Sequence, residues 1–163
     1  MKPVAQKWWT LVAVIGLAYW LFGNLYEAVV LSPNWVTDSP AQMTRLNLFF
    51  VNTSPTLYFV PLTILATILV WMLQILNKDD EIRSLYRRAS LFAVLLTAVN
   101  LFIVSTVVTK LFGTQYLTDP GKLTFLAWEW NVLNIVRMAL TATTAGIMFQ
   151  AFRRLDQRSA SQH

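Results

Sequence analysis

Two short runs of side chains stand out for their chemistry. The first is Asn24-Leu25-Tyr26-Glu27, and the second is Trp130-Asn131-Val132-Leu133-Asn134-Ile135-Val136-Arg137. Asn24 and Glu27 are three residues apart, as are Asn131, Asn134 and Arg137, so on helices each set forms one polar stripe. A carboxylate, a guanidinium and several amides inside apolar sequence suit two tasks. They can lock helices together as a buried Glu–Arg pair with Asn partners. They can also hold the polar end of a lipophilic molecule whose remainder lies against apolar walls. Both readings stay open, since a clamp can line a cavity. A proton relay through Glu27 is the weaker option, because no second intramembrane carboxylate is at hand to take the proton on.

Other chemistries are excluded by composition. The chain has no cysteine, and its single histidine is the last residue, His163. Disulfides, thiol catalysis, Cys-ligated zinc or iron–sulfur centres, bis-His haem and an intramembrane His base all fall away. No metal site and no cofactor are expected.

The elements that position the stripes follow from hydropathy. Of 163 residues, 56% are apolar and only 13% are charged, about half the charge of an ordinary soluble domain. A span needs roughly 20 mainly apolar residues, and four segments qualify, at about 8–31, 56–76, 89–112 and 126–152. Backbone groups in hydrocarbon must be satisfied internally, which makes these segments helices, and none shows the alternation of barrel strands. The expected fold is all-α, a single four-helix transmembrane bundle. Segment one has lysines before it like a signal peptide, but its apolar stretch of about 23 residues exceeds an h-region of about 7–15. It is read as an uncleaved span.

Basic residues set the orientation. Lys2, Lys7, Lys78, Arg83, Arg87, Arg88, Arg153, Arg154 and Arg158 fall on one side, against Arg45, Lys110 and Lys122 on the other. The richer side should be cytoplasmic, with both termini inside. The net charge of +5 is explained by this bias, and no nucleic-acid partner is expected. Helix one then runs outward, and Glu27 and Asn24 lie roughly 6 and 10 Å from its outer end; Asn131, Asn134 and Arg137 lie at roughly 7, 12 and 16 Å in helix four. All five occupy the outer half of the bilayer, and Glu27 and Arg137 are placed to pair directly or through Asn134 if helices one and four are neighbours.

Further expectations complete the picture. Asn100 sits near mid-membrane and is available to bond across helices, whereas Ser105, Thr106 and Thr109 by default bond their own backbone. Pro61 kinks the second helix or opens its first turn, and Thr63 and Thr67 face the interior. Trp8, Trp9 and Trp71 fall at the inner interface, and Trp35, Trp128 and Trp130 at the outer one. Trp20 lies deeper and is the best aromatic pocket wall, with Trp130 second. The candidate ligand-binding set is thus Trp20, Asn24, Glu27, Asn100, Trp130, Asn131, Asn134 and Arg137. Gly16, Gly23 and the Ala142–Gly146 pair allow close helix approach. In the first loop, Leu46-Asn47-Leu48-Phe49-Phe50-Val51 reads as a short interfacial or re-entrant helix. Asp119-Pro120-Gly121 is a turn signal, and the polar tail after Phe152 is expected to fray.

At Phe22-Gly23-Asn24-Leu25-Tyr26-Glu27, Ser32-Pro33-Asn34-Trp35 and Trp130 to Arg137, the chain resembles the small four-helix membrane proteins grouped with fungal anthrone oxygenases, most of them bacterial. The shared features are a glycine-containing first helix ending before a proline and a Trp…Asn…Arg pattern in the last. The resemblance implies a helical bundle with a polar site near one membrane face. For the enzymatic branch it implies metal-free insertion of oxygen into an activated phenolic ring system, with Arg137 and the Asn amides stabilising an anion and Glu27 or Tyr26 moving the proton. The chain departs from a complete catalytic set in having no histidine to serve as base.

The resulting expectation is a multi-pass protein of a bacterial inner membrane, with the lipid bilayer and a lipophilic small molecule as its partners. A non-catalytic interaction or assembly protein is the alternative. Transport ranks third, since four spans would need to form a homo-oligomer to make a pathway.

Overall fold

The computed structural model describes residues 3–113, 116 and 118–161. Lys2 and His163, which entered the charge count and the exclusion of histidine chemistry, lie outside the described residues. Every regular element among the described residues is helical. Four helices are long and apolar enough to cross a membrane: Val4–Val36, Pro55–Leu76, Asp80–Leu111 and Pro120–Ala160.

Helix α1 spans Pro3–Tyr26 and continues through a π-helical stretch, Glu27–Leu31, into α2, Ser32–Val36. The first helix thus runs past the Ser-Pro pair where the sequence expectation ended it. Pro33 stands in the first turn of α2, where its missing N–H and fixed φ are tolerated, and the wide turn before it absorbs the change of register. Asp38 adopts a left-handed conformation, φ 51, one of the few non-glycine types that does so readily. It turns the chain into α3, Ser39–Phe49.

Helix α4, Pro55–Leu76, passes through Pro61 without interruption. Its start is capped by Ser54, whose Oγ accepts from the N–H of Leu57. Thr63 Oγ1 donates to the Val60 carbonyl at 2.8 Å and Thr67 Oγ1 to the Thr63 carbonyl at 2.8 Å. These side-chain bonds support the backbone carbonyls beside the turn that Pro61 deprives of a donor. Helix α5, Asp80–Phe102, is followed by a second π-helical stretch, Ile103–Val108, and by α6, Thr109–Leu111. Ser105, Thr106 and Thr109 bond backbone carbonyls three or four residues back.

Helix α7 runs unbroken over Pro120–Ala160. The Asp-Pro-Gly signal is a helix start: Asp119 caps it by accepting from the Lys122 N–H at 2.9 Å, with Pro120 in the first turn. As far as Ala160 the tail after Phe152 is helical and does not fray. Arg154 pairs with Glu81, Arg158 with Asp79 and Glu81, and Lys7 with Asp156 at 3.0 Å. These pairs tie α7 to α1 and to the start of α5, so the polar face has partners that a reading of the tail alone cannot supply.

In the bundle, α1 packs on α7 and α4, and α5 packs on α7 and α4. The core has two centres. One, around Leu17, Val70, Ile82, Tyr86, Leu96 and Met148, fills the half toward the chain termini. The other, around Trp35, Met43, Ile103, Leu111, Leu123 and Trp130, lies where α2 and α3 cover the opposite end. Outward-facing positions such as Val12, Ile15, Leu65, Leu91, Val132 and Ile135 are exposed, as expected where hydrocarbon rather than water is the solvent.

Candidate functional site

Because α1 and α7 pack along one another, the two polar stripes meet. Arg137 is buried, with only 6% of its surface exposed, and Asn134 is wholly buried. Both Arg137 Nε and Nη2 donate to Asn134 Oδ1, at 3.1 and 2.6 Å. Arg137 Nη1 donates to Asn100 Oδ1 on α5 at 3.1 Å. The guanidinium also lies over the Trp130 ring, 5.7 Å from its centroid, a favourable cation–π distance. Asn134 Nδ2 donates in turn to the Asn24 backbone carbonyl at 3.1 Å, and Asn24 Nδ2 donates to the Trp20 carbonyl at 2.9 Å. One network therefore joins α1, α5 and α7.

The expected Glu27–Arg137 pair does not form. Among the described residues, Arg137 has no carboxylate within 4 Å, and Asn134 reaches the Asn24 backbone rather than Glu27. The reason is local. Amide oxygens three residues away on the same helix and across on α5 lie closer to the guanidinium. Glu27, at the first residue of the π-helical stretch, faces the same space without meeting the cation. No hydrogen bond of its carboxylate is found among the described residues.

Between these groups is a cavity of about 270 Å³, close to the lower end of ordinary small-molecule sites. Its polar lining comes from Asn24, Glu27, Asn100 and Arg137, joined by Asn47, Ser54, Thr56 and Thr63. Its apolar lining is largely aromatic: Trp20, Trp35, Trp130, Phe50, Phe59 and Phe112. Trp35 and Trp130 meet edge to face at 4.7 Å, and Trp35 meets Phe112 at 5.3 Å. The two π-helical stretches border this space, one through Glu27 and the other through Val104 and Val108.

Hydrogen-bond capacity shows what the site can do. A guanidinium has five N–H donors, and three are used by Asn134 and Asn100. Two remain, on a side chain that lines the cavity. Glu27 adds two acceptor oxygens, and Asn100 Nδ2 a further donor. The site thus offers a buried cation with spare donors, a nearby carboxylate and aromatic walls. Among the described residues no group of three or more His, Cys, Asp or Glu is placed to hold a metal ion.

Of the candidate set, Trp20, Asn24, Glu27, Asn100, Trp130 and Arg137 line this one cavity. Asn134 supports Arg137 from behind. Asn131 does not line it; its Oδ1 accepts from Ser32 Oγ at 2.5 Å, which fastens α2 to α7. Tyr26 is exposed on the outer surface of α1, away from the cavity, because the helical turn that brings Asn24 and Glu27 inward carries it outward. Trp35, expected at the interface, is buried instead. The reading also missed Phe59 and Phe50. Phe59 is seated against Gly23, where a Cβ would come within 2.3 Å of its ring. A glycine one residue before Asn24 was the available signal, but sequence alone does not say which aromatic fills the gap.

Comparison with family models, with curated proteins and with solved structures finds no match to this chain.

Proposed function

We propose that this protein binds a small lipophilic molecule within the membrane, with the molecule's polar head at Arg137, Asn100, Asn24 and Glu27 and its apolar body between the tryptophans and phenylalanines. The observation that carries the reading is a buried guanidinium with two N–H donors unused among the described residues, lining a cavity of about 270 Å³. Holding a cation out of water costs several kcal/mol, and a purely structural arginine would be expected to spend all its donors. Glu27, which lines the same cavity and has no partner among the described residues, supports a head that both accepts and donates.

The placement is a bacterial inner membrane with both termini in the cytoplasm. Support comes from the side carrying Lys7, Arg83, Arg87, Arg88, Arg153, Arg154 and Arg158, which matches the positive-inside bias. The cavity then lies in the outer half of the bundle. In the catalytic version of the reading, suggested by the resemblance to anthrone oxygenase-like proteins, Glu27 takes a proton from an activated phenolic ring system. Arg137 and Asn100 stabilise the anion, dioxygen adds to its carbon, and the peroxide takes the proton back from Glu27 and loses water, leaving a carbonyl at that carbon. The second reading, a non-catalytic assembly protein, is favoured by the Asn134–Asn24 and Arg137–Asn100 bonds, which would clamp three helices with no ligand at all.

The test uses protein reconstituted in nanodiscs and the lipophilic phenol 6-bromo-2-naphthol, whose bromine quenches indole fluorescence. Saturable quenching is expected, weakened at least tenfold by Arg137→Met and by Glu27→Gln, with circular dichroism unchanged. Wild-type quenching in both folded variants would refute the binding site and leave the clamp. For the catalytic version, oxygen uptake with an anthrone should exceed a protein-free membrane blank; none above the blank sinks it.

A further inference from the structure

Among the described residues, the large exposed apolar side chains outside the four long helices sit together at one corner of the fold. Leu48 and Phe49 end α3, and Val51 follows it; they are 72%, 79% and 76% exposed. The exposed face of α3 changes character over its last two turns. The helix's inner stripe, Ser39, Met43 and Leu46, packs on the bundle, held by Ser39 Oγ to Thr124 Oγ1 at 2.9 Å. Its outward positions are polar at mid-helix, where Thr44 and Arg45 are exposed. They become apolar only at the far end.

That far end adjoins the start of α4. Phe50, Pro55 and Thr56 line the same cavity, and the next outward residues of α4, Leu57 and Tyr58, are also exposed apolar groups. The α3 tip therefore continues the lipid-facing surface of a membrane-spanning helix. Asn47 and Thr56 combine exposure with a place in the cavity wall, so the cavity reaches the surface at this corner.

We infer that the α3 tip is immersed in the bilayer and that the cavity beside it opens sideways into lipid, not into water. The partner of the patch is the lipid surface itself: the helix enters at its apolar end while Arg45 and Thr44 stay in the headgroup layer. A ligand would then reach Arg137 from the leaflet, which restricts the site to molecules that partition into membranes. The portal rests on the ligand-binding reading; the depth of the tip does not.

The native chain has no cysteine, so single-cysteine variants report cleanly. Phe49→Cys, Val51→Cys, Thr56→Cys and Thr44→Cys would each carry a nitroxide in phosphatidylcholine–phosphatidylglycerol liposomes. Relaxation by oxygen, which concentrates in hydrocarbon, is compared with relaxation by a water-soluble nickel chelate. Oxygen should exceed nickel several-fold at positions 49, 51 and 56, and nickel should prevail at 44. Nickel-dominated relaxation at 49 and 51 would place the tip in water and overturn the inference. Exclusion of both reagents there would mean that protein, such as a second copy of this chain, covers the patch, and would overturn it equally. Oxygen at 49 and 51 with nickel at 56 would overturn the portal. The labels report immersion whether or not 6-bromo-2-naphthol binds, so failure of either idea is distinguishable from failure of the other.

Discussion

Removing Asn134 should harm folding more than removing the arginine it holds. Consider Arg137→Met first. The variant loses three hydrogen bonds and the contact with Trp130, and it leaves the wholly buried Asn134 Oδ1 without a donor. The stranded acceptor costs about 1–3 kcal/mol and the lost cation–π contact about 1 kcal/mol. Asn100 is only partly buried and its oxygen is less costly to leave unpaired. Against this, the variant no longer buries a cation, a relief of several kcal/mol. The two sides nearly cancel, and a net loss of no more than about 2 kcal/mol follows. Asn134→Leu is different. It keeps the buried cation and leaves it one of its three hydrogen bonds, which costs about 3–5 kcal/mol, and it also removes the bond to the Asn24 carbonyl, worth about 1 kcal/mol. In the double variant the stranded charge is gone, so it should be more stable than Asn134→Leu alone by about 2–3 kcal/mol, a strong departure from additivity. Unfolding by sodium dodecyl sulfate in mixed micelles, followed by circular dichroism, measures all four corners of the cycle. Additive losses, or an Arg137→Met loss as large as that of Asn134→Leu, would refute the argument that the amides exist to hold an otherwise uncompensated cation.

Two further outcomes follow from the geometry. Gly23→Ala places a methyl within 2.3 Å of the Phe59 ring; the ring must move, the cavity changes shape, and quenching by 6-bromo-2-naphthol should weaken about tenfold while the helical signal is kept. Asp79 caps α5 by accepting from the N–H groups of Ile82 and Glu81, each at 3.1 Å. Those bonds, led by that from Ile82 and aided by Arg158, hold its carboxyl below the usual aspartate range. A depressed folded value means the stabilisation is complete above the unfolded value of about 3.9 and is lost as pH falls through the folded one. Asp79→Ala should cost about 1 kcal/mol at neutral pH and flatten the acid limb of the unfolding profile; an unchanged acid limb would contradict this.

The four long apolar helices were legible because apolar runs of this length have few other uses, and the Asn24–Glu27 and Asn131–Arg137 stripes because helical spacing fixes which residues share a face. Three of the five residues in those stripes, Asn24, Asn134 and Arg137, share one network, Glu27 lines the cavity beside it, and Asn131 is turned aside to Ser32. What stayed hidden depends on distance between segments remote in sequence. Whether Arg137 meets a carboxylate or an amide turns on a few ångströms of helix register, and periodicity does not resolve that. The wide turns at Glu27–Leu31 and Ile103–Val108 leave no signature in composition, yet the first carries the helix past Pro33 and brings Trp35 inward. The firm C-terminal turns of α7 were missed because their partners, Asp79, Glu81 and Lys7, lie far away along the chain.

The 41 residues of α7 make a rod of about 60 Å, twice the thickness of bilayer hydrocarbon. No proline interrupts it after Pro120. Arg154, fixed to Glu81 at one end, is seventeen residues from Arg137, or about 26 Å along the axis. Between the two, Thr141, Thr144, Met148 and Ala151 are buried against the neighbouring helices, so packing along the whole length fixes where Arg137 stands. One continuous helix therefore carries both the polar site and the ion pairs with Asp79 and Glu81, with no joint between them.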